Sequence, residues 1–68
     1  MTERLLNRLR ELRTQADLTQ AQLAAQVGVS RKTINTIENA VFVPSTVVAL
    51  KLARTLGVRV EDLFQLES

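Results

Sequence analysis

The sequence predicts an all-α fold, a compact five-helix domain, and three observations predict it. Apolar residues recur at helical spacing, as Leu5, Leu9, Leu12 and Ala16 do at steps of four, three and four. Three separate stretches repeat one helix-start pattern, in which two apolar residues bracket a cap position and a polar first turn. Gly28 and Gly57 each follow an apolar run, where a helix stop belongs. Strands are not expected anywhere: Val41-Phe42-Val43 is apolar but too short, and it ends at Pro44.

The first helix is expected from about Thr2 to Ala16, with Leu6 widening its apolar stripe and charged residues on the wet face. The second starts at Leu18-Thr19-Gln20-Ala21-Gln22-Leu23. Here Thr19 and Gln22 form a capping box, and Leu18 and Leu23 occupy the staple positions. Gly28 ends it. The third starts at Ser30, with Val29 stapled against Ile34. The fourth starts after Pro44 with Ser45 as cap, buries Ala49, Leu52, Ala53 and Leu56, and ends at Gly57. The fifth begins near Val60 with Val58 and Leu63 as staple and with Glu61 and Asp62 in its first turn, where the helix dipole favours acids. Its cap position holds Arg59, which cannot accept a hydrogen bond, so this helix is expected to be short and easily frayed.

Composition removes several classes of function. A chain of 68 residues makes one domain at most, so residues 1–68 are read as a single unit. It has no Cys and no His, hence no disulfide, no thiolate or imidazole metal ligand and no histidine base; no metal and no cofactor are expected. With no glycine-rich phosphate loop either, it is not expected to be an enzyme. No apolar run approaches a membrane span and the N-terminus lacks a secretory signal, so no membrane contact and a cytoplasmic location are expected. Nine Lys and Arg against seven Asp and Glu leave a net charge of +2. The first half is the basic one: Arg4, Arg8, Arg10, Arg13, Arg31 and Lys32 stand against Glu3, Glu11 and Asp17. That asymmetry suits a face that meets a polyanion.

Helices two and three, joined by a tight turn at Gly28, match a helix-turn-helix over residues 19–39. Helix three is read by angle at about 100° per residue. Relative to Arg31, Asn35 lies at about 40°, Asn39 at about 80°, Lys32 at about 100° and Thr36 at about 140°, whereas Ile37 and Ile34 lie at about 240° and about 300°. A helix anchored by its isoleucines therefore presents Arg31, Lys32, Asn35 and Thr36 outward. Arg and Lys donate to guanine O6 and N7, Asn can bridge adenine N6 and N7, and Thr can touch a thymine methyl. These four are the candidate base contacts. Gln20 and Ser30 sit at helix N-termini, which favour anions, and with Asn39 they are the candidate phosphate contacts. A protein-interaction module is the main competing class, since Val41, Phe42, Val43, Phe64 and Leu66 are apolar residues outside the helix stripes. An adaptor has no need of the polar arc on helix three. RNA binding is disfavoured, because Phe42 and Phe64 are the only aromatic residues and single-stranded RNA is read largely by stacking.

The run Thr19-Gln20-x-x-Leu23-Ala24-x-x-Val27-Gly28-Val29-Ser30-x-x-Thr33-Ile34-x-x-Ile37-Glu38-Asn39 resembles the helix-turn-helix of lambda-repressor and Cro-like regulators, the XRE family. The resemblance continues through Pro44-Ser45, Ala49-Leu50-x-Leu52-Ala53 and Leu56-Gly57-Val58 to Glu61-Asp62-Leu63-Phe64. It implies a lambda-repressor-like five-helix domain, a recognition helix over residues 30–39, and binding to double-stranded operator DNA, usually as a dimer. It also implies a phosphate contact for Gln20 and a structural ion pair between Arg13 and Glu38. The chain departs from the family in two places. Relatives commonly have Glu-Asn-Gly and then a basic or aromatic residue, where this chain has Glu38-Asn39-Ala40-Val41-Phe42; and Arg59 stands where they tend to place Ser or Thr. A homodimer is expected, with Val41, Phe42, Phe64 and Leu66 as its interface. The expected function is sequence-specific transcriptional regulation, as a repressor that occupies an operator. That role divides three ways: a complete small repressor, the partner of a toxin, or the N-terminal domain of a longer regulator.

Overall fold

Leu9, Leu23, Ile34, Ile37, Leu52 and Leu63 have no solvent exposure, and their meeting holds the fold together. The computed structural model describes residues 4–67. Its elements are β1 (Arg4–Asn7), α1 (Leu9–Gln15), α2 (Gln20–Val27), α3 (Arg31–Glu38), α4 (Thr46–Leu56), α5 (Val60–Leu63) and β2 (Phe64–Glu67). Each of the five helices gives at least one side chain to the common core. Helices of seven to eleven residues, as α1 to α4 are, have little stability alone, so burial of these side chains fixes them. Among the described residues no helix is long and apolar enough to cross a membrane.

Local chemistry sets the helix ends. In α2 the Thr19 Oγ1 accepts the Gln22 N–H at 3.0 Å, and the Gln22 Oε1 accepts the Thr19 N–H at 2.8 Å. These are the two bonds of a capping box. Ser30 Oγ accepts the Thr33 N–H at 3.0 Å and Ser45 Oγ the Val48 N–H at 3.2 Å, capping α3 and α4. Leu18, Val29 and Val58, the apolar residues ahead of three helices, pack against the core. Gly28 closes α2 at φ +85°, the left-handed region that glycine enters without steric cost.

Two expectations about the termini are corrected. The fold is not all-α, because Arg4–Asn7 and Phe64–Glu67 pair as an antiparallel two-stranded sheet. Leu5 faces Leu66 and Asn7 faces Phe64 in this register. The first helix begins at Leu9 instead of near Thr2, which lies outside the described residues. Asn7 is the physical reason. Its Oδ1 accepts the Leu9 N–H at 2.9 Å and so starts the helix, while its Nδ2 donates to the Ile37 carbonyl at the end of α3. An Asn that bonds backbone in this way competes with a helix through its own position. The Arg8 N–H donates to the Leu63 carbonyl at 2.9 Å, which brings the C-terminal segment alongside. The apolar spacing of Leu5 with Leu9 thus joins a strand to a helix.

The last helix is a single turn. Arg59 makes no side-chain cap, but the Asp62 Oδ2 accepts the Arg59 N–H at 2.9 Å, the reciprocal half of a capping box. After α3 the chain turns at Ala40, whose φ is +59°. The Thr36 carbonyl then accepts both the Val41 and Phe42 N–H groups, at 3.0 and 3.2 Å. A side chain in the left-handed region costs about 1–2 kcal/mol, partly offset because glycine has more freedom to lose on folding. Ala40→Gly is therefore expected to stabilise the protein by about 0.5–1 kcal/mol. Urea unfolding of the two proteins checks this, and a lower midpoint in the glycine variant would contradict it.

Candidate nucleic-acid interface

The face of α3 opposite its two buried isoleucines is built in two parts. Ile34 and Ile37 are fully buried, so Arg31, Lys32 and Asn35 stand exposed and Thr36 is half-buried at the side. Gln20, from the first turn of α2, joins Arg31, Lys32 and Asn35 around one shallow depression. Lys32 also borders a second depression, with Ser30, Thr33, Thr36, Val41 and Phe42. The four candidate base contacts are therefore split: Thr36 lies on the loop side, and its hydroxyl donates to the Thr33 carbonyl at 3.0 Å.

Charge on this face is uncompensated. Arg4, Arg8, Arg10, Arg13 and Arg59 all lie within ion-pair distance of a carboxylate. Arg31 and Lys32 make no ion pair among the described residues. They flank the N-terminus of α3, whose dipole adds further positive potential. Such an end attracts phosphate.

Behind the face sits a buried carboxylate. Glu38 has no exposed side-chain surface. Arg13, itself mostly buried, donates to it through Nε at 2.6 Å and Nη2 at 3.2 Å, a bidentate pair. Arg13 Nη1 donates to the Leu18 carbonyl at 2.8 Å and so ties down the entry to α2. Arg10 Nε at 3.3 Å and Gln20 Nε2 at 3.1 Å also donate to Glu38. Burial pushes the Glu38 carboxyl up, but the hydrogen bonds from Arg13, Gln20 and Arg10, with the Arg13 charge, outweigh it and hold the carboxyl below its ordinary range. Glu38 is ionised at neutral pH, and it holds α1, α2 and α3 at one point.

The candidate phosphate contacts lie in different settings. Ser30 Oγ caps α3 and lies 2.9 Å from Thr33 Oγ1. Gln20 is half-buried and reaches both Glu38 and Asn35. Asn39 is the C-cap of α3, and both ends of its amide are engaged within the protein, by Arg10 and Asn35. Asn7 and Arg10 escaped the sequence reading. A solvated arginine looks the same in sequence as one that reaches Glu38. An Asn two places before a core leucine was a detectable cap signal for Asn7.

The candidate interface residues also divide. Val41, Phe42 and Leu66 are exposed, whereas Phe64 packs against the core. Phe64 lines an apolar groove with Leu5, Val43, Pro44, Leu50 and Val60.

The family model described as helix-turn-helix matches residues 9–63. The chain is 39% identical over 61 residues to the uncharacterized HTH-type transcriptional regulator YgzD of Bacillus subtilis, covering 90% of this chain and 92% of that one. It is 45% identical over 58 residues to an uncharacterized HTH-type transcriptional regulator of Methanocaldococcus jannaschii, covering 85% and 88% of the two chains. Among solved structures it is similar to the restriction-modification controller protein C.AhdI of Aeromonas hydrophila, with a TM-score of 0.80, 40% identity, and coverage of 84% and 86%.

Proposed function

Because this chain belongs to the helix-turn-helix family of DNA-binding transcriptional regulators, which are not enzymes, we propose that it represses transcription by occupying an operator in double-stranded DNA as a homodimer. The observation that carries the reading is two exposed cations, Arg31 and Lys32, that make no ion pair among the described residues and stand beside Asn35 on the outer face of α3. Lys32 and Asn35 read base edges in the major groove, and Arg31 reads a base or holds a phosphate. Thr36, beside Phe42, contacts the flank of the site. Ser30 meets phosphate at the N-terminus of α3, Gln20 meets it at the N-terminus of α2 through its backbone N–H, since both hydrogens of its side-chain amide go to Glu38 and Asn35, and Asn39 supports Asn35 from within.

A dimer supplies the second recognition helix that an operator of this kind needs, one DNA turn or about 34 Å from the first. The surface for it runs from Val41, Phe42 and Val43 to Leu66, exposed by 78%, 49%, 68% and 64%. Large exposed apolar side chains of this number favour a protein contact, and a two-fold contact needs one self-complementary patch. Phe64 supports this surface from the core side.

Titration of fluorescent duplexes selected from random sequence tests the reading. Two cations from each of two protomers predict roughly hundredfold weaker binding between about 50 and 200 mM salt. Lys32→Ala is expected to cost about 1–3 kcal/mol. Sedimentation at tens of micromolar, an association free energy of about 6–7 kcal/mol, checks the dimer against Leu66→Glu. Salt-independent binding would contradict the DNA reading, and a monomeric wild type would contradict a preformed dimer.

A further inference from the structure

The amide of Asn35 is locked at one end. Its Oδ1 accepts from Gln20 Nε2 at 3.2 Å and from Asn39 Nδ2 at 3.2 Å. A carbonyl oxygen has two lone pairs, so these two donors fill it. Charged groups fix the direction of both bonds. A carboxylate at neutral pH only accepts, so Glu38 forces the Nε2 of Gln20, not its oxygen, toward the cluster. A guanidinium only donates, so Arg10 Nη2, 2.9 Å from Asn39 Oδ1, forces the oxygen of Asn39 toward Arg10 and its Nδ2 toward Asn35. Arg10 is itself held by Glu38. Reversing either amide would set donor against donor or acceptor against acceptor. Asn35 Nδ2 has no acceptor in the protein among the described residues and is the end left for a ligand.

We infer that the Gln20–Asn39 clamp, anchored on Glu38 and Arg10, makes Asn35 a donor-only reader that selects guanine over adenine at the base it meets. The inference rests on the proposed DNA reading. An unrestrained Asn recognises adenine with both ends, accepting from N6 and donating to N7. With its oxygen filled, Asn35 can still donate but cannot accept from adenine N6 unless one clamp bond breaks. Guanine offers two acceptors, O6 and N7, and no donor at that edge. Gln20 and Asn39 are thus positioning residues that set specificity through Asn35.

Selection of duplexes from a random pool, with sequencing of the bound fraction, tests this on wild type, Asn35→Ala and the double variant Gln20→Ala with Asn39→Ala. The position that Asn35→Ala relaxes is the one Asn35 reads. Wild type is expected to prefer guanine to adenine there by roughly tenfold, and the double variant is expected to lose that preference or turn it toward adenine. A wild-type preference for adenine there, or a double variant that keeps the guanine preference, overturns the inference. So does an Asn35→Ala profile identical to wild type, which would leave DNA binding itself intact. Enrichment of no duplex by wild type overturns the DNA reading and the inference with it. A selected duplex carrying 2-aminopurine, which keeps N7 but lacks the guanine O6, at the assigned position probes the wild-type protein directly, so the result does not depend on the variants folding. Binding is expected to fall roughly tenfold, and unchanged binding overturns the inference.

Discussion

Leu52→Ala is expected to destabilise the protein by about 3 kcal/mol. Leu52 is fully buried on α4, in the core cluster to which all five helices contribute, and α4 packs chiefly against α2 and α5. Truncation removes its transfer free energy and leaves a cavity that neighbouring helices fill only in part. A chain of this size has a total stability of about 3–10 kcal/mol, so the loss takes roughly 30% or more of it. Leu50, two residues away on the same helix, is 55% exposed. Leu50→Ala is expected to cost about 0.5 kcal/mol or less at concentrations where the protein is monomeric. Urea denaturation followed by circular dichroism at 222 nm measures both. Equal losses for the two leucines would mean that α4 does not pack with the face described.

Arg13→Met is expected to cost about 3 kcal/mol, the low end for breaking a buried ion pair. The variant keeps much of the aliphatic bulk but leaves Glu38 ionised and buried. Arg10 and Gln20 still donate to that carboxylate, which limits the loss. The bond to the Leu18 carbonyl also disappears, which loosens the turn into α2. For a domain of this length the midpoint of thermal unfolding is expected to fall by at least about 10 °C. A melt indistinguishable from wild type would show that the pair contributes nothing. Acid provides an independent check. The folded state lowers the Glu38 pKa, so its stabilising effect is complete above the unfolded value of about 4.3 and is lost as pH falls through the folded value. Wild type should therefore lose more stability than Glu38→Gln in that acidic range.

Ordinary sequence grammar revealed most of the frame. Thr19 with Gln22, Ser30 and Ser45 are caps whose partners lie three residues away, so sequence alone contains the interaction. The angular reading of α3 worked for the same reason, because one helix turn decides which side Ile34 and Ile37 share. Leu5 misled it. A leucine four residues before Leu9 reads as the same stripe, and nothing local distinguishes a strand that pairs with a segment about sixty residues later. The position of Thr36 was likewise hidden, since its angle placed it on the outer arc but the Val41 and Phe42 turn closes over that side.

By itself the sequence determined the helix-turn-helix, the four capped or stapled helix starts after the first helix, and which side of α3 faces outward. Each depends on contacts within a few residues, where backbone geometry leaves few alternatives. Only the tertiary structure decided the terminal sheet, the gathering of Arg10, Arg13 and Gln20 on Glu38, and the direction of the Asn35 amide. Each of those features depends on a partner 15 or more positions away. Their order follows from burial: once Glu38 is taken out of water, it must be satisfied by donors, and only the folded chain brings those donors within reach.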